Sequence, residues 1–218
     1  MLRNVDLSEI SDGKLYDAND MVKADCKGCE GCSACCRGMG KSIVLDPLDV
    51  HRLTTGLGVP FEALLSQHIE LNVVDGLILP NLKMTESADT CPFLNGQGRC
   101  SIHAYRPGIC RLFPLGRFYE NDSFRYFLQV HECPKPSKAK IKVYKWLDTD
   151  DIRTYEQFIS DWHYFLKALQ ERIARMEDQA QIRSTCMYVL QQFYLAPCED
   201  FYEAFHGRLD EAKRYFEM

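Results

Sequence analysis

Cys26-Lys27-Gly28-Cys29-Glu30-Gly31-Cys32-Ser33-Ala34-Cys35-Cys36-Arg37 is the run that organises this 218-residue chain. Cys26, Cys29, Cys32 and Cys35 are spaced by two residues, and Cys36 directly follows Cys35. Two intervening residues let the backbone curl so that both thiolates of a C-x2-C pair face one metal. Gly28 and Gly31 supply the turn conformations such a loop needs. The same spacing serves zinc and iron–sulfur clusters, so it points to metal without choosing which. The competing use of clustered cysteines is a disulfide framework. Eleven cysteines, an odd number, cannot all pair with one another.

Composition sets the frame for that loop. The chain is 46% hydrophobic and 26% charged, enough apolar content to bury a core. The net charge of −5 offers no general attraction to nucleic acid or anionic lipid. There is no run of apolar residues long enough to span a membrane. The opening residues Met1-Leu2-Arg3-Asn4-Val5-Asp6 lack the apolar stretch of a secretory signal. A reducing, cytoplasmic setting is therefore the expectation, and there clustered cysteines bind metal or react more often than they form disulfides.

Four further cysteines lie downstream: Cys91, Cys100, Cys110 and Cys133. With the opening run they make nine between residues 26 and 133. A four-sulfur site needs four. Eight of the nine could fill two such sites, or four could ligate with the others in support. The adjacent pair constrains the geometry. Neighbouring side chains in extended backbone point to opposite sides, so Cys35 and Cys36 share one metal only if the chain bends sharply between them. Four thiolates on Zn2+ or on an oxidised four-iron cluster leave roughly two negative charges uncompensated, which nearby cations would offset. Arg37, Arg106 and Arg111 each lie within four residues of a candidate ligand. His103 and His131 are the histidines nearest to one. Cys186 and Cys198 fall in or beside a helical tail and read as core or boundary residues.

The ordered set Cys29-x2-Cys32-x2-Cys35-Cys36, Cys91-Pro92-Phe93-Leu94, Cys100-x-Ile102 and Arg106-Pro107-x2-Cys110-Arg111-x-Phe113-Pro114 resembles the CxxCxxCC cysteine-cluster family, the zinc- or iron-chelating domain of YkgJ-type proteins. The resemblance covers residues 26 to 134, about half of the chain. It implies metal chelation, and some relatives sit within flagellin lysine methylases that carry a four-iron cluster. Cys26, one more step of the same spacing, lies outside the family motif. So does His103, which stands where the family has an aromatic residue. The metal ligands expected from motif and resemblance are Cys29, Cys32, Cys35, Cys36, Cys91, Cys100, Cys110 and Cys133.

The metal is read as an iron–sulfur cluster (4Fe-4S), with zinc as the alternative. Structural zinc usually comes as two separated C-x2-C pairs. Here the second half has gaps of eight, nine and twenty-two residues. Cys91-Pro92 and Cys133-Pro134 place proline after a remote cysteine, as ferredoxins do. The closing gap of two, between Cys32 and Cys35, and the Arg37 that follows Cys36 in place of proline depart from the ferredoxin run.

Residues 1–25 read as an irregular arm with one short helix over 19–24. Ser42 to Leu45 reads as a short buried strand. Asp46 caps a helix begun by Pro47 and ended by Gly56 and Gly58. Val59 to Leu65 is a second short helix. Asp75-Gly76 and Glu120-Asn121-Asp122-Ser123 are hairpin turns. The segment 86–114, rich in cysteine, glycine and proline, reads as loop. From Thr149 the apolar period becomes helical through Ile152, Tyr155, Phe158, Ile159, Trp162, Phe165, Leu166, Leu169, Ile173 and Met176. Two further stripes follow, separated by Pro197. The fold class expected is α+β. A small cysteine-rich half, residues 1–148, has short strands and loops around a metal site, packed by a helical extension, residues 149–218.

No G-x-G-x-x-G follows a strand and there is no P-loop. The alternating strand–helix pattern of a methyltransferase is absent. Three functional classes remain: a metal-binding protein in metal or redox handling, a redox subunit or accessory of an enzyme such as a protein methylase, and a zinc protein with a structural metal and a helical tail that binds a protein partner.

Overall fold

A computed structural model describes residues 6–26, 32–86, 88–136 and 138–218. The fold is α+β, with short antiparallel pairs in the first two thirds and a helical set at the C-terminal end. The N-terminal arm holds a one-turn helix, α1 (Leu7–Ile10), and then a strand, β1 (Met21–Asp25). The helix expected over 19–24 is therefore not formed. Val22 and Ala24 are buried while Met21 and Lys23 face out, a period of two rather than 3.6. That face pairs with a late strand, β6 (Ala139–Lys142), with Val22 opposite Ile141 and Asp25 opposite Ala139. A partner more than a hundred residues away overrides the weak local preference.

The segment 42–45 is extended and lies along a hairpin. Leu82 N–H donates to the Ile43 carbonyl at 3.0 Å, and Leu45 N–H to the Pro80 carbonyl at 2.9 Å. Helix α2 (Pro47–Leu57) begins at Asp46 with a reciprocal capping box: Asp49 N–H donates to Asp46 Oδ1 and Asp46 N–H to Asp49 Oδ2. Only Gly58 ends it, in the left-handed conformation at φ 66°. Gly56 stays within the helix for another reason. A Cβ there would lie 2.5 Å from the Tyr105 ring, which rests against the helix backbone. Helix α3 (Phe61–Gln67) follows.

Two hairpins come next, β2 (Ile69–Val74) with β3 (Leu77–Leu82), and β4 (Leu115–Glu120) with β5 (Ser123–Leu128). Both turn on two residues with positive φ, Asp75 and Gly76 at 49° and 89°, and Asn121 and Asp122 at 50° and 55°. Those left-handed turns match the twist of the strands they join. Between the hairpins, the stretch expected as loop contains a 3-10 turn, His103–Tyr105, and a short helix, α4 (Gly108–Leu112). After β6 come α5 (Val143–Leu147), then α6 (Ile152–Ile173), α7 (Gln179–Val189), which continues as a wider-wound turn Leu190–Leu195, and α8 (Phe201–Tyr215). Among the described residues no helix is long and apolar enough to cross a membrane.

Two apolar cores hold these elements. The large one joins Leu45, Leu53, Phe61 and the β2–β3 hairpin to Phe158, Trp162, Phe165 and Leu169 of α6, and to Phe193 and Phe205. The Tyr194 hydroxyl donates to the Leu45 carbonyl at 3.0 Å inside it. The small core gathers Val22, Ala24, Leu112, Leu115, Tyr126, Leu128, Val143 and Leu147, from β1, α4, the second hairpin and α5. Cys91, Cys100 and Cys110 pack against the large core.

Candidate metal centre

The cysteine loop and the downstream cysteines are tied together first by backbone. Cys91 N–H donates to the Cys36 carbonyl at 2.8 Å, and Gly38 N–H to the Asp89 carbonyl at 2.8 Å. Leu94 and Cys100 pair as an isolated bridge, and Asn95 N–H bonds the Arg99 carbonyl, closing a small loop over 95–99. Phe93 and Ile102, at 5% and 2% exposure, anchor this loop in the large core. Cys91, Cys100 and Cys110 pack against the same core, partly buried.

Cys35 and Cys36 lie in a single 3-10 turn, Ala34–Cys36. The turn supplies the sharp bend that an adjacent pair requires, and the two thiols hydrogen-bond each other. That bond draws the Cys36 thiol below its ordinary value and, with burial, raises Cys35. Burial raises Cys91, Cys100 and Cys110. Each of these thiols also feels its neighbours: Cys36 feels Cys91, Cys110 and Cys100, while Cys110 feels Cys91, Cys35 and Cys100. Apart from the hydrogen bond by which Cys35 favours ionised Cys36, the thiols of Cys35, Cys36, Cys91, Cys100 and Cys110 are thus one group that opposes further ionisation. A cation bound among them reverses that opposition, because thiolates are its ligands. The donor set fits a soft metal or an iron–sulfur cluster. Among the described residues, no group of three or more Cys, His, Asp or Glu side chains is placed closely enough to hold a metal ion. The arrangement is a gathering of donors.

Of the remaining expected ligands, Cys32 and Cys133 line a cleft together with Cys26 and with Cys35 of that group. Cys29 lies outside the described residues. Cys186 is core, its thiol 3.7 Å from the Gly76 carbonyl, and Cys198 stands 3.6 Å from His51 Nδ1.

Of the three arginines, Arg106 faces the thiols, holding down both Cys35 and Cys100 against the larger effect of burial. Its guanidinium also lies 2.8 Å from His103 Nε2. Arg37 reaches Ser33 and Thr90 at the surface. Arg111 turns the other way, is 6% exposed, and donates to the Leu147 carbonyl at 2.9 Å. His131 is exposed.

Sequence reasoning missed Asp49. It is 3% exposed, and its Oδ1 accepts the Gly108 N–H at 2.6 Å, pinning the start of the helix that carries Cys110. Burial raises both Asp49 and Asp46, Asp46 to about 6. The Asp46-x-x-Asp49 spacing is legible as a capping box; its distant partner Gly108 is not.

The match to a family model comes on top of this geometry. Residues 28–143 match the model of the CxxCxxCC family, described as a "putative zinc- or iron-chelating domain", and the chain belongs to that family. Metal chelation is the property this membership carries. The comparisons with curated proteins and with solved structures find no match.

Proposed function

We propose that this protein holds an iron–sulfur cluster of the 4Fe-4S type on the thiols Cys36, Cys91, Cys100 and Cys110, with Cys35 alongside, and works in metal or redox handling. One observation carries the reading: thiols from a 3-10 turn, a closed loop and the helix α4 meet as one interacting group. Zinc would accept the same donors. The long uneven gaps between Cys91, Cys100, Cys110 and Cys133 favour the cluster, because zinc ribbons use paired short spacings.

When bound, such a cluster supplies one-electron transfer at a potential set by its surroundings. The chain's own residues define those surroundings. Arg106 offsets thiolate charge. Phe93 and Ile102 close the core side against water. Asp49 fixes the helix from which Cys110 projects.

The test is visible absorbance and electron paramagnetic resonance of the anaerobically prepared chain before and after dithionite. The expected result is a brown protein whose signal is lost in C91S and C110S and kept in C186S. A colourless protein holding stoichiometric zinc overturns it.

A further inference from the structure

Cys198 lies outside the residues that match the family model, and the fold gives it a base. It sits between the wider-wound turn Leu190–Leu195 and helix α8, with its Sγ 3.6 Å from Nδ1 of His51 on helix α2. The two residues are 147 apart in sequence, so tertiary packing makes the pair. Both members are held in place. The Pro197 carbonyl, one residue before the thiol, accepts from Arg208 Nη2 at 2.7 Å. Two residues after the thiol, Asp200 Oδ1 caps α8 by accepting the Glu203 N–H at 3.0 Å. The His51 ring rests against Phe201, with centroids 5.4 Å apart, and Phe201 contacts Phe158 and Phe205 of the large core. A thiol within reach of a base that other side chains orient is the arrangement that activates a cysteine.

Access and charge suit a small anionic reactant. Cys198 and His51 are both half-buried, and Pro197 and Glu199 on either side of the thiol are exposed. Burial, then Arg208 and Arg52, hold the His51 ring below its ordinary value. The ring is therefore uncharged near neutral pH. With its proton on Nε2, its Nδ1 accepts from the Cys198 thiol. Glu199 and Asp200 follow the thiol in sequence, and Asp200 is engaged in the α8 cap. Arg52 on α2 and Arg208 on α8 supply positive charge beside the pair, the setting of reactive rather than inert cysteines. Cys186 has the opposite setting. It is buried in the core with its thiol 3.7 Å from the Gly76 carbonyl, which takes no proton.

We propose that Cys198 and His51 form a thiol-modification site, at which Cys198 exchanges with a low-molecular-weight disulfide that carries carboxylates. Cys198 Sγ attacks one sulfur of the disulfide while its proton passes to His51 Nδ1. The new S–S bond joins Cys198 to that half of the disulfide, the old S–S bond breaks, and the departing thiolate takes the proton from His51. Cys198 is oxidised and the departing half is reduced, so the disulfide is itself the oxidant. Arg52 and Arg208 favour the carboxylates of the incoming molecule. The site stands whichever metal the motif cysteines hold, because neither Cys198 nor His51 belongs to that group.

The experiment incubates the full chain, prepared anaerobically, with oxidised glutathione at neutral pH, quenches in acid and locates the adduct by peptide mass spectrometry. A synthetic peptide running from Leu195 to Phe201 is the reference for an unassisted thiol. Cys198 in the folded chain should react roughly tenfold faster than the peptide, whose thiol is only a few per cent ionised. H51N should bring the rate down to that of the peptide, and added imidazole should restore it in H51A. Cystamine, a cationic disulfide, should show a smaller gain over the peptide than oxidised glutathione does. The site is overturned if Cys198 reacts no faster than the peptide, or if H51N matches wild type. Failure of imidazole to restore H51A overturns the role of His51 as base. A larger gain with cystamine overturns the anionic class of reactant. Should H51N and H51A lose helix by circular dichroism, the ratio of folded chain to peptide decides alone.

Discussion

Asp49 shows how one buried side chain serves both fold and site. It caps α2 from within and holds Gly108 N–H across 59 residues of sequence. Asp49→Ala strands a buried N–H, which costs about 1–3 kcal/mol. D49N keeps an acceptor at Oδ1 and removes the repulsion from Asp46, so it should cost less. Urea midpoints of the two variants check the order, and an equal loss would contradict it. His163 gives a second prediction at this scale. Burial lowers its ring to about 4, and it stacks on Tyr119 with centroids 3.5 Å apart. An unfolded histidine titrates near 6.5 or about there, so the unfolded chain binds the proton more readily. The stability that the neutral ring contributes is full above the unfolded value and is lost as pH falls through that value toward about 4. H163F keeps the stack without the titration. Its midpoint should fall less than that of wild type over this range; parallel curves would refute the assignment.

At the scale of elements, α6 carries the most. Tyr155, Phe158, Ile159, Trp162, Phe165, Leu169 and Ile173 are all buried along one stripe. Trp162 touches Phe165, Phe193, Tyr194 and Phe205, so Trp162→Ala should cost roughly 3–5 kcal/mol in thermal or urea unfolding. A loss well below that would place the ring outside the core. The stripe was legible because a 3.6 period over many residues has no competing reading. Asp75-Gly76 and Asn121-Asp122 were legible because few residues accept two successive positive φ values. Strand β1 was not legible, because its short segment becomes a strand only through β6. Cys35, Cys36, Cys91, Cys100 and Cys110 were legible as candidate ligands from the motif, and the fold makes them an interacting group. The packing of Cys91, Cys100 and Cys110 on the large core was not legible, because it follows from distant partners such as Asp49 and Gly108 of which the cysteine spacing holds no record.

At the scale of the molecule, the large core is apolar and spans from Ile43 to Phe216, with Cys91, Cys100 and Cys110 only partly buried against it. The cysteine segments hang on it through a few backbone bonds and the anchors Phe93 and Ile102. Metal removal should therefore loosen residues 32–38 and 89–110 while α6 and α8 keep their protection in hydrogen exchange. Global loss of helix on chelation would show that the metal supports the large core as well. The most direct test of the whole account is the iron and acid-labile sulfide content of the anaerobically prepared chain. The account predicts iron and sulfide in equal amounts, both lost in C110S. Zinc alone at that group, with no sulfide, would contradict it.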